Sequence, residues 1–127
     1  MIALAVAIGG AAGALGRYAV TSAMSRAFGE DLPWGTFAVN VTGSFLLGFL
    51  LIWMSTRAHN EELSALLTVG FLGSFTTFST FSFEAVALAR SGAIWKAATY
   101  AGGSVMIGVL AVSLGMAAAM AFDSTSN

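Results

Sequence analysis

The sequence predicts an all-α integral membrane fold of four transmembrane helices, and three observations carry that prediction. Hydrophobic residues make up 57% of the 127 residues and charged residues only 9%, against roughly 25% charged in a soluble domain, and mean hydropathy is +0.86. Short clusters of charged and turn residues divide the chain into four apolar stretches. A bilayer crossing takes roughly 20 mainly apolar residues, so four crossings need about 80 and fit with short connections, whereas six do not. No stretch remains for a separate soluble domain, which excludes a nucleotide-binding or extramembrane catalytic module. The chain reads as a single transmembrane domain over residues 1–127, without an internal repeat relating its halves.

The first span runs over about 2–28 and ends at Gly29-Glu30-Asp31-Leu32-Pro33. It lacks the basic start of a secretory signal and is expected to be a retained helix. Gly9, Gly13 and Arg17 follow one another at i+4, with Gly10 and Gly16 alongside. Small residues at that spacing let helix backbones approach closely in lipid. Arg17 is costly inside a span unless it faces protein, water or an anion, or reaches toward the headgroups. The second span covers about 34–56 and places Thr36, Asn40 and Ser44 four apart, as one polar stripe on a helix face. An Asn amide offers two N–H donors and one acceptor.

The third span, about 63–90, contains Gly70-Phe71-Leu72-Gly73-Ser74-Phe75-Thr76-Thr77-Phe78-Ser79-Thr80-Phe81-Ser82-Phe83-Glu84. Gly70, Gly73 and Ser74 predict that this helix breaks near its middle, freeing backbone carbonyls at membrane depth. Such carbonyls are tolerated when buried in protein, facing water or holding an ion, and unwound helix ends are a recurrent Na⁺ site. Phe75, Phe78 and Phe81 recur every third residue, while Thr77, Thr80 and Glu84 share another face. The fourth span, about 94–122, carries Tyr100, Ser104, Gly108, Ala111 and Gly115 on one face, and Asp123-Ser124-Thr125-Ser126-Asn127 reads as a polar tail.

The charges encode orientation only weakly. Arg57 stands on the side of the termini, and Arg26, Arg90 and Lys96 on the other, a small excess that favours placing the odd connections in the cytoplasm. A chain so nearly balanced can insert either way round, and an antiparallel, dual-topology homodimer is the natural outcome.

Composition also narrows the chemistry. Five Lys+Arg against six Asp+Glu leave no basic footprint for nucleic acid. With no cysteine and one histidine, His59, thiolate sites, disulfides and multi-histidine sites within the chain are excluded. No nucleophile–base set, metal cluster or phosphate loop points to an enzyme. The polar inventory expected to be buried, away from the span ends, is one Arg, one Asn and many hydroxyls, with Glu84 the only carboxylate near a span. N–H and O–H donors together with the positive edges of aromatic rings suit a small anion.

The segments Gly13-Ala14-Leu15-Gly16-Arg17-Tyr18, Gly35-Thr36-Phe37-Ala38-Val39-Asn40 and Gly70 to Glu84 resemble the Fluc (CrcB) fluoride channel family, in order and across essentially the whole chain. The resemblance implies an antiparallel homodimer in the cell inner membrane, with two pores built from both subunits. It implies passive export of F⁻ that relieves fluoride toxicity. By matching positions, Asn40 would be the pore amide, and Phe78 and Phe81 the ring-edge residues along the fluoride pathway. Thr77, Thr80, Tyr100 and Ser104 would supply the polar track, Arg17 would stand near the vestibule, and Glu84 would be the acid after the motif. The backbone carbonyls of Gly73 and Thr76 from both subunits would hold a structural Na⁺ at the dimer centre. Two positions depart from the pattern: Ser74 stands where the family often has Gly, and Gly108 where a further hydroxyl is often found. The alternatives are a small multidrug-type cation/proton antiporter, which wants a buried first-helix carboxylate where this chain has Arg17, and a non-transporting subunit of a membrane assembly.

Overall fold

The structure, a computed structural model, describes residues 1–56 and 60–125. Arg57 and His59, which the sequence assigns to the second connection, lie outside the described residues, as do Ala58, Ser126 and Asn127. The described residues are helical, without a strand. Four helical runs are long and apolar enough to cross a membrane: Ile2–Phe28, Trp34–Ser55, Glu61–Arg90 and Ile94–Thr125. The first, second and fourth are single helices, here α1 (Ile2–Phe28), α2 (Trp34–Ser55) and α6 (Ile94–Thr125). The third is composite, running through α3 (Glu61–Ser64), a π-helical stretch (Ala65–Leu72), α4 (Gly73–Phe75) and α5 (Phe78–Arg90).

Local chemistry sets most boundaries. Gly29 and Gly92 terminate helices at φ 76° and 86°, left-handed values that only glycine adopts freely. Asn60 caps α3 through its Oδ1, which accepts the Glu62 N–H at 2.7 Å, with Glu61 and Glu62 in the first turn. The third span therefore starts at Glu61, slightly ahead of the expected position. At the other end, Asp123, Ser124 and Thr125 continue α6 rather than forming a tail. The Thr56 hydroxyl donates to Asp123 Oδ2 at 2.6 Å, so the last turn of α6 is anchored to the end of α2. Ion pairs tie the helix ends: the Met1 ammonium to Glu62 at 2.8 Å, and Lys96 to Asp31 at 3.7 Å.

The glycines expected to interrupt the third span do not. Gly70 and Gly73 remain helical, and Gly70 packs against the Val6 carbonyl and Gly9 of α1. Helical geometry is left at Thr76 (φ −81°, ψ 158°) and Thr77 (φ −152°, ψ 112°), three residues beyond Gly73. Two adjacent β-branched residues favour extended backbone, and a side chain from α2 supplies the hydrogen bonds that the helix would have made.

Packing is by close backbone approach. A Cβ at Gly13 would collide with the Phe71 carbonyl, and one at Gly115 with the Phe45 carbonyl, so α1 lies against the π-helical stretch and α2 against α6. In the absence of a hydrophobic drive between helices in lipid, such contacts supply much of the association. The core is accordingly thin, centred on Val39, Leu72, Phe75, Tyr100, Ala111 and Ala119. Large apolar side chains such as Leu15, Val109 and Leu114 face outward, as a chain solvated by lipid requires. This is a multi-pass membrane protein.

Candidate functional site

The site is organised by Asn40 in the middle of α2. Its Nδ2 donates to the Thr77 carbonyl at 3.1 Å, and its Oδ1 accepts the Thr77 N–H at 2.8 Å. One amide thus pairs with both backbone groups of a residue outside helical geometry. Thr77 is buried and caps α5: its Oγ1 accepts the Thr80 N–H at 3.3 Å and donates to Thr80 Oγ1 at 3.0 Å. Asn40 and the cap together aim the first turn of α5, which carries Phe78 and Phe81.

Asn40, Phe78, Phe81 and Ser104 line one cavity of about 290 Å³, shared with Ser44 and Gly108. The Phe78 and Phe81 rings lie 5.9 Å apart at 44°, and Phe81 continues to Tyr100 at 5.4 Å. Ser104 Oγ is buried without a hydrogen-bond partner among the described residues. Lone hydroxyls of that kind are uncommon unless water or a ligand completes them. No charged side chain lines this cavity.

The other expected residues stand elsewhere. Arg17, Thr77 and Thr80 line a larger cavity of about 610 Å³ that opens among α1, the first connection and α5, with Thr36 and Glu84 in its wall. Glu84 joins three helices here. Its Oε1 accepts the Thr36 hydroxyl at 2.8 Å and its Oε2 the Tyr100 hydroxyl at 2.7 Å. Tyr100 therefore stands between the two cavities, with its hydroxyl on Glu84 and its ring on Phe81. Arg17 makes no ion pair among the described residues and is the cationic member of the larger cavity's wall.

Gly73 and Thr76 share a third space of about 190 Å³ with Asn40, Ser44 and Thr68. Because Thr77 N–H is taken by Asn40, the Gly73 carbonyl has lost its ordinary i+4 donor. The Thr76 carbonyl accepts no hydrogen bond among the described residues. Both carbonyls retain lone pairs suited to a monovalent cation, and no carboxylate lines the space. The donor set fits Na⁺ better than a hard divalent ion, which recruits carboxylates.

The stripe of Thr36, Asn40 and Ser44 is thus real as a helix face, but Thr36 bonds Glu84, Asn40 bonds Thr77, and Ser44 makes no hydrogen bond among the described residues. The bridging role of Glu84 is the largest addition to the sequence-based list. The sequence marks Glu84 as the carboxylate near a span, on the face shared with Thr77 and Thr80, but not the partners that it joins.

Fold and site together define a four-span membrane protein whose interior is lined by hydrogen-bond donors and aromatic edges. The family described as "CrcB-like protein, Camphor Resistance (CrcB)" matches residues 4–116. The "Fluoride-specific ion channel FluC" of Hydrogenovibrio crunogenus is 46% identical over 114 residues, covering 89% of this chain and 86% of that protein. The proteins of the same name from Hahella chejuensis and Caulobacter sp. are 46% and 44% identical, covering 88% and 89% of this chain and 89% and 90% of theirs. This chain belongs to the CrcB-like family.

Proposed function

We propose that this protein is a fluoride channel that lets F⁻ leave the cytoplasm passively across the cell inner membrane, and is not an enzyme. The observation that carries this is the 290 Å³ cavity, in which Asn40, Ser104 and two phenylalanine rings converge without a charged side chain. Donors without a fixed charge can replace part of the hydration shell of a small anion without trapping it, since conduction needs binding favourable enough to enter and weak enough to leave. Arg17 is the one cationic side chain in the wall of the wider cavity, where Glu30 and Glu84 also stand, so its part is a local contact for an anion and not a net positive field. The names of relatives up to 48% identical support the same ion.

The antiporter alternative needs a free carboxylate inside a span. Glu84 is the carboxylate on α5, and each of its oxygens accepts a hydrogen bond, from Thr36 and Tyr100, which engages it in a bridge between helices. An assembly subunit without transport leaves the lined cavities without a purpose.

We further propose that two copies assemble antiparallel, with Na⁺ at the centre held by the Gly73 and Thr76 carbonyls of both. Phe78 is 79% exposed in the single chain, and a second copy packed there would cover its ring. A two-fold axis near Gly73 would gather four carbonyl oxygens, enough to compensate a desolvated monovalent cation. The ion is structural: it supplies charge compensation for carbonyls that would otherwise be costly to bury, and the fluoride path runs past the Phe78 and Phe81 rings instead. Liposomes containing only the purified protein test the function. Fluoride release without a proton gradient supports it, and release that requires one contradicts it.

A further inference from the structure

Asn40 has little donor capacity left for an anion. Of its two amide N–H groups, one is committed to the Thr77 carbonyl, and its oxygen is committed to the Thr77 N–H. The 290 Å³ cavity must therefore find its other donors among hydroxyls, and its lining contains two, Ser104 on α6 and Ser44 on α2. Ser44 makes no hydrogen bond among the described residues, whereas Thr21, Thr68, Thr76 and Ser113 each donate to the carbonyl four residues back in their own helix. Across the cavity from Ser44 stands Gly108, where a Cβ would lie 3.8 Å from Ser44 Oγ, at ordinary contact distance. The wall of α6 is thus bare at the point that the Ser44 hydroxyl faces.

We propose that Ser44 is a further fluoride-coordinating residue, whose hydroxyl serves from α2 the part of the path that Gly108 leaves without a donor on α6. This deepens the channel function proposed above and depends on it. The chemistry is one O–H donor to a small, partly dehydrated anion, handed on between the Asn40 N–H and the Ser104 hydroxyl. A side chain at position 108 would enter the same space from the opposite wall, so the two positions are exchangeable as sources of one hydroxyl.

The test compares fluoride efflux from liposomes for the unmodified protein, Ser44→Ala, and the double variant Ser44→Ala with Gly108→Ser, each first shown by gel filtration to keep the unmodified elution profile. Ser44→Ala is expected to slow efflux at least tenfold, and the double variant to recover to within about threefold of the original. Unchanged efflux in Ser44→Ala overturns the assignment. So does a loss that the double variant fails to recover, because the hydroxyl is then not what the path requires. Absence of efflux from the unmodified protein is a different result: it removes the channel function itself, and the assignment with it.

Discussion

The side-chain amide of Asn40 is hydrogen-bonded to both backbone polar groups of Thr77, at 3.1 Å from its nitrogen and 2.8 Å from its oxygen. A residue of α2 thereby takes over the pairing that the third span gives up where it leaves helical geometry. The same exchange leaves the Gly73 carbonyl without its helical donor. One side chain links the shape of the third span, the aim of Phe78 and Phe81, and the carbonyls proposed to hold a cation.

Replacing Asn40 separates structure from conduction. Asn40→Ala leaves a buried N–H and C=O unpaired and should destabilise the protein by about 2–3 kcal/mol, read as a lower unfolding temperature in detergent. Asn40→Asp keeps the acceptor for Thr77 N–H but sets a carboxylate against the Thr77 carbonyl and in the path of an anion. Its fluoride flux should fall by at least a hundredfold. Wild-type flux in Asn40→Asp would remove Asn40 from the path.

The two rings make a different prediction. Phe78→Ile and Phe81→Ile keep apolar bulk and remove the positive ring edge. Flux should drop at least tenfold in each. Stability should fall more in Phe81→Ile, by about 1 kcal/mol, than in Phe78→Ile, because Phe81 packs its ring on both Phe78 and Tyr100 whereas Phe78 meets only the Phe81 ring among the described residues. Equal flux in both variants and the unmodified protein would assign the rings to packing.

Glu84 binds Thr36 and Tyr100 across two interfaces. Glu84→Ala strips two buried hydroxyls of their acceptor and should cost about 2–3 kcal/mol, whereas Tyr100→Phe loses one bond and should cost about 1 kcal/mol. In a double-mutant cycle the pair should couple by at least 0.5 kcal/mol, the range expected of residues in one network. Strictly additive losses would show that the bridge contributes nothing.

Much of this is legible in the residues alone. Apolar run lengths match the four long helical runs to within a few residues, because a bilayer imposes a length that composition alone can meet. Asn40, Phe78, Phe81 and Ser104 were identifiable as candidates and do share one cavity. Arg17, Thr77 and Thr80 were grouped with them but line another space, since helical spacing says which residues share a face and not which neighbour that face meets. The helix was expected to yield at its glycines, yet Gly70 is held helical by its fit against α1, and the two threonines yield instead. Glu84 joins partners 48 and 16 residues away, and no local pattern announces such a meeting. The π-helical stretch over Ala65–Leu72 likewise has no sequence signature.

The central cation is open to a direct comparison. Flux and dimer stability should both be higher in Na⁺ than in N-methylglucamine, which is too large to sit among four carbonyls. Gly73→Pro, which displaces the carbonyls, should abolish the difference, while Thr76→Val, which alters only a side chain, should preserve it. Identical behaviour in the two cations would contradict a structural Na⁺.

Passive and selective conduction of F⁻ is the central claim, and one measurement reaches it directly. Liposomes containing only this protein, loaded with equal KF and KCl and held at a K⁺ potential with no proton gradient, are followed by fluoride and chloride electrodes. Rapid fluoride release with chloride retained is the predicted result. Retention of both ions, release of both at similar rates, or fluoride release only after a proton gradient is imposed would contradict it.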